Sequence, residues 1–91
     1  MNIEQILKEN ECTIIDVRTP GEYCCGNIAG SINIPLKEIP NRIDEIKTLN
    51  TPLVLCCASG GRSGKATQML TQENIDCYNG GSWLDVNLYQ S

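Results

Sequence analysis

The chain contains 91 residues, of which 41% are hydrophobic and 20% are charged, and its formal net charge is −4. This length and composition predict one ordinary globular domain over residues 1–91 and exclude an intrinsically disordered chain. The acidic balance and the lack of a Lys/Arg cluster argue against nucleic acid or an anionic membrane as a partner.

The apolar pattern of the first half of the chain predicts short helices and strands in alternation. Residues 3–8 place their apolar side chains on one face of a helix. The β-branched run at residues 13–17 is typical of a buried strand. Thr19 and Pro20 are residue types that begin a helix, and residues 31–34 form a brief extended segment.

The second half of the chain continues this alternation. Apolar residues spaced three or four apart between positions 36 and 49 predict a surface helix, which Pro40 breaks or delays. The remaining predicted elements are a buried strand at 52–57, a helix at 62–73, a strand at 75–78 and a terminal helix after Gly80-Gly81.

Strands that alternate with helices pair in parallel through right-handed crossovers. We therefore predict an α/β fold, with a small open, mainly parallel sheet of about four to five strands flanked by helices on both faces. Ligands bind such sheets at the carboxyl ends of the strands. Two predicted strands end in polar residues, one in Asp16 and Arg18 and the other in the loop that follows Cys57. We expect the functional site at the second.

Six cysteines and no histidine are available for chemistry. The sequence shows no secretory signal and no stretch long enough to span a bilayer, which predicts a cytoplasmic location and reduced thiols. The adjacent pairs Cys24–Cys25 and Cys56–Cys57 are poor disulfides, because neighbouring Cα atoms lie ~3.8 Å apart where a disulfide needs about 4.4–6.8 Å. Without histidine, Cys–His catalysis and most zinc sites are excluded, and we expect neither a metal nor a cofactor.

Residues 56–66, CCASGGRSGKA, combine groups that hold an anion. Gly60 and Gly61 permit positive φ angles, so that successive backbone N–H groups converge on one point. The following helix adds the positive end of its dipole, and Arg62 adds a permanent charge. A cysteine at this focus is predicted to have its pKa lowered from ~8.5 to about 3.5–7.5. The spacing to Arg62 is C-x4-R from Cys57 and C-x5-R from Cys56, so both thiols are candidate nucleophiles.

Four segments in order resemble the motifs of the single-domain rhodanese family of sulfurtransferases, and the resemblance covers nearly the whole chain. They are residues 14–23 (IIDVRTPGEY), 26–35 (GNIAGSINIP), 54–63 (VLCCASGGRS) and 78–83 (YNGGSW). In this register the nucleophile of the family falls on Cys57. The resemblance thus implies the rhodanese fold and a catalytic cysteine at the end of the second buried strand.

The resemblance also implies a double-displacement reaction. Cys57 takes a sulfane sulfur from thiosulfate or a persulfide, holds it as a cysteine persulfide among the loop amides, and passes it to cyanide, a thiol or a partner protein. Asp16 and Arg18 support the site or form a purely structural ion pair. The implied substrate-binding residues are Ala58, Ser59, Gly60, Gly61, Arg62 and Ser63.

Two residues depart from the family pattern. Asn27 stands where the family usually has His, and Ala58 stands where many members have a polar or basic side chain. Arg62 is then the main charge of the loop, which predicts a weak attraction for the dianion thiosulfate.

The sequence leaves two alternative functions open. The C-x5-R count from Cys56 resembles the loop of cysteine phosphatases and of arsenate-reductase-like enzymes, and the rhodanese family also contains non-catalytic binding modules. Cys57 is favoured because successive strand residues face opposite sides and because only Cys57 brings the loop into register with the sulfurtransferase motif. A phosphatase also needs a general acid, and no carboxylate is marked as one. Cys56 and Cys77 remain candidate resolving thiols.

Overall fold

A four-stranded parallel sheet organises the protein, and the computed structural model describes residues 2–9 and 11–90. The strands are β1 (Thr13–Asp16), β2 (Ile32–Asn33), β3 (Leu53–Cys57) and β4 (Cys77–Ser82). They lie in the order β2-β1-β3-β4, and each neighbouring pair is parallel. The two central strands, β1 and β3, therefore end at the same edge of the sheet. The predicted α/β class with a parallel sheet is confirmed.

Helices cover both faces of this sheet. Thr19 and Glu22 form a capping box at the start of the second helix, and the Ser82 side chain caps the last one. Within the described residues, no helix is both long and apolar enough to cross a bilayer. The helices are α1 (Ile3–Glu9), α2 (Pro20–Cys24), a 3-10 helix (Leu36–Asn41), α3 (Ile43–Ile46), α4 (Gly61–Gln72) and α5 (Trp83–Tyr89).

The side chains of β3 divide the core into two layers, because successive strand residues point to opposite faces. One layer contains Leu55 and Cys57, together with buried side chains of α4, α3 and the 3-10 helix. The other contains Val54 and Cys56, together with buried side chains of α1 and α5. The two adjacent cysteines therefore belong to different layers.

The boundaries of β4 differ from the sequence prediction. The strand was expected at residues 75–78 but runs from Cys77 to Ser82, so that Gly80 and Gly81 belong to it. Glycine pairs weakly in strands, which is why the two glycines indicated a turn. In the fold a register shift against β3 lies at this point. A Cβ on Gly80 would lie 2.8 Å from Val86 and 2.9 Å from Val54, so glycine is the residue that fits.

The segment at residues 36–49 confirms the predicted interruption at Pro40. The first part is the 3-10 helix Leu36–Asn41, which contains Pro40, and α3 follows as a separate short helix. Proline lacks an N–H donor and its ring crowds the preceding turn, so a continuous α-helix is unfavourable here. Both parts still bury one apolar side chain each, Ile39 and Ile46, in the layer of Cys57.

Candidate active site

The carboxyl end of β3 leads into a tight loop that folds back over Cys57. Cys57 is the last residue of the strand, and α4 begins at Gly61. Gly60 has a φ of +101°, a left-handed conformation that glycine adopts at little cost. The expectation of a second positive φ at Gly61 is wrong, because Gly61 is the first residue of the helix. Ala58 and Ser59 are exposed on the outside of the loop.

The sulfur of Cys57 lies at the centre of this loop. The backbone N–H of Gly60 donates a hydrogen bond to Sγ at 2.9 Å. The hydroxyl of Ser63, in the first turn of α4, lies 3.4 Å from the same sulfur. Cys57 itself is only 1% exposed. The geometry therefore places one backbone N–H donor and one hydroxyl group against a single sulfur atom, an arrangement that favours negative charge when the hydroxyl donates to the thiolate.

The pKa of Cys57 is the balance of two opposing effects. Burial of the thiol raises its pKa, but hydrogen bonds from the Ser63 hydroxyl and from three backbone amides of the loop outweigh burial. The resulting pKa is lowered to about 7. Near neutral pH a large fraction of Cys57 is therefore the nucleophilic thiolate, although the protein contains no histidine.

We expect Cys57 to titrate near pH 7. Its ultraviolet thiolate absorbance, measured as wild type minus Cys57→Ser, should be absent at pH 5, half-developed near pH 7, and nearly complete by pH 8. The sign follows from the lowered pKa, because the charged form is the one that the loop stabilises. A midpoint near ~8.5, the ordinary value for cysteine, would contradict this expectation.

Cys56 has the opposite environment. It is 0% exposed and belongs to the layer beneath α1 and α5. Burial and the nearby charge of Asp16 raise the pKa of Cys56 to about 12. A neutral thiol that faces away from the loop has neither the charge nor the orientation of a nucleophile. The C-x5-R count from Cys56 therefore receives no support from the geometry.

Arg62 does not project from the loop as an unpaired cation. Its guanidinium donates two parallel hydrogen bonds to the carboxylate of Glu22 in α2, at 2.7 and 3.0 Å. Hydrogen bonds from Arg62 and Thr19 lower the pKa of Glu22 to about 2, so this carboxylate stays charged at neutral pH. The Glu22 carboxylate therefore largely neutralises the charge of Arg62. Sequence reasoning missed Glu22 as a site residue, although Glu22 stands in the first motif and in a T-x-x-E capping pattern.

Asp16 and Arg18 form a buried ion pair at the neighbouring strand end. The Nη2 atom of Arg18 donates to Asp16 Oδ2 at 2.7 Å, and the two side chains are 6% and 1% exposed. Arg18 also donates to the carbonyl oxygen of Gly26 at 2.6 Å and stacks on the ring of Trp83, with its Cζ 4.6 Å from the ring centroid. Arg18 thereby ties β1 to the loop after α2 and to α5. These contacts favour a structural role for the pair.

The structure adds Asn79 of β4 to the loop. Its amide contacts Ser63, Gly60 and Gly81, which the sequence places 16, 19 and 2 residues away. No sequence pattern indicated this residue beyond its position before the two glycines.

Two other residues that the sequence singled out lie elsewhere. Asn27 is exposed and donates to the carbonyl of Tyr23, and Cys77 contacts α4 through Thr67 and Thr71.

Comparison with known proteins agrees with this fold. The family model described as rhodanese-like domain matches residues 2–83. The chain belongs to the rhodanese-like family. YqhL of Bacillus subtilis is 42% identical over 67 residues, which are 72% of this chain and 52% of YqhL. The thiosulfate sulfurtransferase PspE of Escherichia coli is 39% identical over 59 residues, which are 64% of this chain and 57% of PspE.

Solved structures of rhodanese-like proteins superpose on most of the chain. A rhodanese from E. coli, solved with anions, has a TM-score of 0.74 and 34% identity, covering 81% of this chain and 89% of its own. A rhodanese-related protein from Thermoplasma volcanium has a TM-score of 0.76 and 28% identity, covering 100% and 91% of the two chains. The match to YqhL and PspE spans little more than half of their length.

Proposed function

We propose that this rhodanese-like domain is a sulfurtransferase that carries sulfur on Cys57. The observation that carries the proposal is the position of the Cys57 sulfur, which accepts the Gly60 N–H bond at 2.9 Å and has a pKa of about 7. Two relatives named thiosulfate sulfurtransferase, PspE of E. coli and GlpE of Pseudomonas paraeruginosa, support the reaction class. The rhodanese-like domain is proposed to extend over residues 1–91, in the cytoplasm.

The proposed reaction has two displacements. The Cys57 thiolate attacks the outer sulfur of thiosulfate, the S–S bond of the donor breaks, and sulfite leaves with the electron pair. The product is a Cys57 persulfide anion, whose terminal sulfur receives hydrogen bonds from the loop amides. A thiolate or cyanide then attacks that terminal sulfur and releases the Cys57 thiolate. The enzyme returns to its starting state without a cofactor.

The loop is shaped for a small transferred group. Its amides converge on one atom, and the residue after Cys57 is the small, neutral Ala58. The pairing of Arg62 with Glu22 weakens the attraction for a dianion such as thiosulfate. We therefore propose that a persulfide, which carries less charge, is the better donor, and that the acceptor is a thiol of a small molecule or a partner protein.

Intact-mass measurement tests the proposed function directly. The protein is incubated with thiosulfate or with a small-molecule persulfide, desalted, and weighed before and after cyanide treatment. We expect one added sulfur atom that cyanide removes as thiocyanate. A protein that gains no sulfur from either donor, or that hydrolyses p-nitrophenyl phosphate instead, contradicts the proposal and favours a binding module or a phosphatase.

We expect the substitution Glu22→Gln to strengthen thiosulfate binding. The variant keeps the capping box, since glutamine serves at that position as glutamate does, but it removes the charge that neutralises Arg62. The KM for thiosulfate in a steady-state assay with cyanide should fall about threefold or more, with a smaller change in kcat.

The control for this substitution is Glu38→Gln. Glu38 also pairs with an arginine, Arg42, and is comparably exposed, but the arginine that it neutralises is not the one in the Cys57 loop. The KM of the control should match that of the wild type. A Glu22→Gln enzyme with an unchanged or higher KM would mean that Glu22 holds Arg62 in its donor-binding position rather than neutralising it.

A further inference from the structure

Asn79 contacts the Cys57 loop through three hydrogen bonds, and its amide orientation follows from two of them. The Gly81 N–H only donates, and it lies 3.0 Å from Asn79 Oδ1. The Gly60 carbonyl only accepts, and it lies 3.2 Å from Asn79 Nδ2. The oxygen of the amide must therefore face Gly81, and its nitrogen must face Gly60.

This orientation determines where the hydroxyl proton of Ser63 lies. Ser63 Oγ is 2.6 Å from Asn79 Oδ1, which accepts only, so the hydroxyl donates its one hydrogen to Asn79. The lone pairs of Oγ then face Sγ of Cys57 at 3.4 Å. When Cys57 is a neutral thiol, its S–H donates to Ser63 Oγ, and the Ser63 hydroxyl donates to Asn79 Oδ1. When Cys57 ionises, the hydroxyl has to leave Asn79 to donate to the thiolate.

The regular pairing of β4 with β3 brings Asn79 to this place, because its partner Leu55 belongs to the core layer of Cys57 and α4. Asn79 pairs with Leu55, the register shift against β3 follows it, and Cys56 pairs with Gly81. On α4, Gly64 leaves room for the amide, because a Cβ there would lie 3.3 Å from Asn79 Nδ2.

We propose that Asn79 is a positioning residue that acts on Cys57 through Ser63, by competing with the free thiolate for the hydroxyl proton while it braces the Gly60 carbonyl. If Cys57 carries sulfur as proposed above, Sγ becomes an uncharged disulfane sulfur after loading. The Ser63 hydroxyl then donates to Asn79 again. This hydrogen bond is kept in the loaded protein and lost when the hydroxyl donates to the free thiolate, so Asn79 favours the loaded protein.

The test measures Cys57 ionisation alone, without any sulfur donor. Thiolate absorbance is recorded against pH for each variant and is corrected with the same variant carrying Cys57→Ser. Asn79→Leu releases the hydroxyl to the sulfur, and we expect the Cys57 pKa to fall by about half a unit to one unit. Asn79→Asp keeps the acceptor, removes the donor to Gly60 and adds a negative charge, and we expect a rise of about one unit. Asn79→Ala also removes the amide, and we expect the same fall in the Cys57 pKa.

A merely structural brace predicts a different result. Loss of the Gly60 contact alone would shift the pKa of the Leu variant equally whether or not Ser63 carries its hydroxyl. Repeating Asn79→Leu in a Ser63→Ala background isolates the coupling, and there we expect no fall. Shifts of equal sign, a fall that persists in the Ser63→Ala background, or no shift at all would overturn the proposal. Because no sulfur transfer is measured, these outcomes are independent of the proposed activity.

Discussion

Replacing Cys57 with serine is expected to abolish sulfur loading and to lower the sulfurtransferase rate by about a thousandfold or more. The serine hydroxyl is not ionised near neutral pH and makes a weak nucleophile, whereas the loop lowers the pKa of the Cys57 thiol to about 7. Intact mass after incubation with thiosulfate or a persulfide gives the first readout, and thiocyanate production gives the second.

Cys56→Ala is the matched control, since Cys56 is the adjacent residue, is equally buried, and lies in the other core layer. This variant should still gain one cyanide-labile sulfur. If loading instead disappears with Cys56 and survives in Cys57→Ser, the proposed nucleophile is wrong. Such a result would support Cys56 as the nucleophile of a C-x5-R loop, in spite of its raised pKa.

The largest effect on stability is expected for Asp16→Asn. The change leaves the Arg18 guanidinium buried without its counter-charge, and breaking one side of a buried pair costs about 3–5 kcal/mol. A domain of this length has a free energy of unfolding of roughly 5–14 kcal/mol, so the loss is a large fraction of the total. Urea denaturation followed by circular dichroism measures it.

A surface pair supplies the control for this substitution. Glu4 and Lys8 lie one turn apart on α1, with half or more of each side chain exposed. Glu4→Gln should change the free energy of unfolding by less than about 0.5 kcal/mol. If Asp16→Asn costs less than about 1 kcal/mol, Arg18 has enough water or other partners, and the pair is not the tie between β1, the loop after α2 and α5 described above.

The alternation of apolar runs was sufficient to predict the fold class. β3 and, apart from the half-buried Thr13, β1 are continuous runs of buried residues, and the sequence predicted both within one residue of their observed limits. The limits of β4 were predicted wrongly. Glycine is unfavourable inside a strand, so the sequence indicated that the strand ends before Gly80 and Gly81. In the fold Gly80 lies close to Val86 of α5 and to Val54 of β3, and the close approach of Val54 is not visible in the residues next to Gly80.

For the Cys57 loop, the sequence indicated some of the residues that form the site, and only the structure showed the others. Residues 57–63 could be singled out because glycines, arginine and cysteine stand next to one another. Strand alternation, together with the register of the sulfurtransferase motif, favoured Cys57 over Cys56. Glu22 and Asn79 could not be singled out. They contact the loop across 40 residues in one case and 16 to 19 in the other, and their residue types are common on surfaces.

By itself the sequence favoured Cys57 over Cys56 as the candidate nucleophile, because the spacing and face of a cysteine at a strand end are local properties. The tertiary structure decided how much charge surrounds the Cys57 sulfur and where its neighbouring proton lies. Glu22 neutralises Arg62, and Asn79 orients the Ser63 hydroxyl. Both effects depend on distances between residues that only the packed sheet and helices bring together, and electrostatic and hydrogen-bond energies follow distance rather than order along the chain.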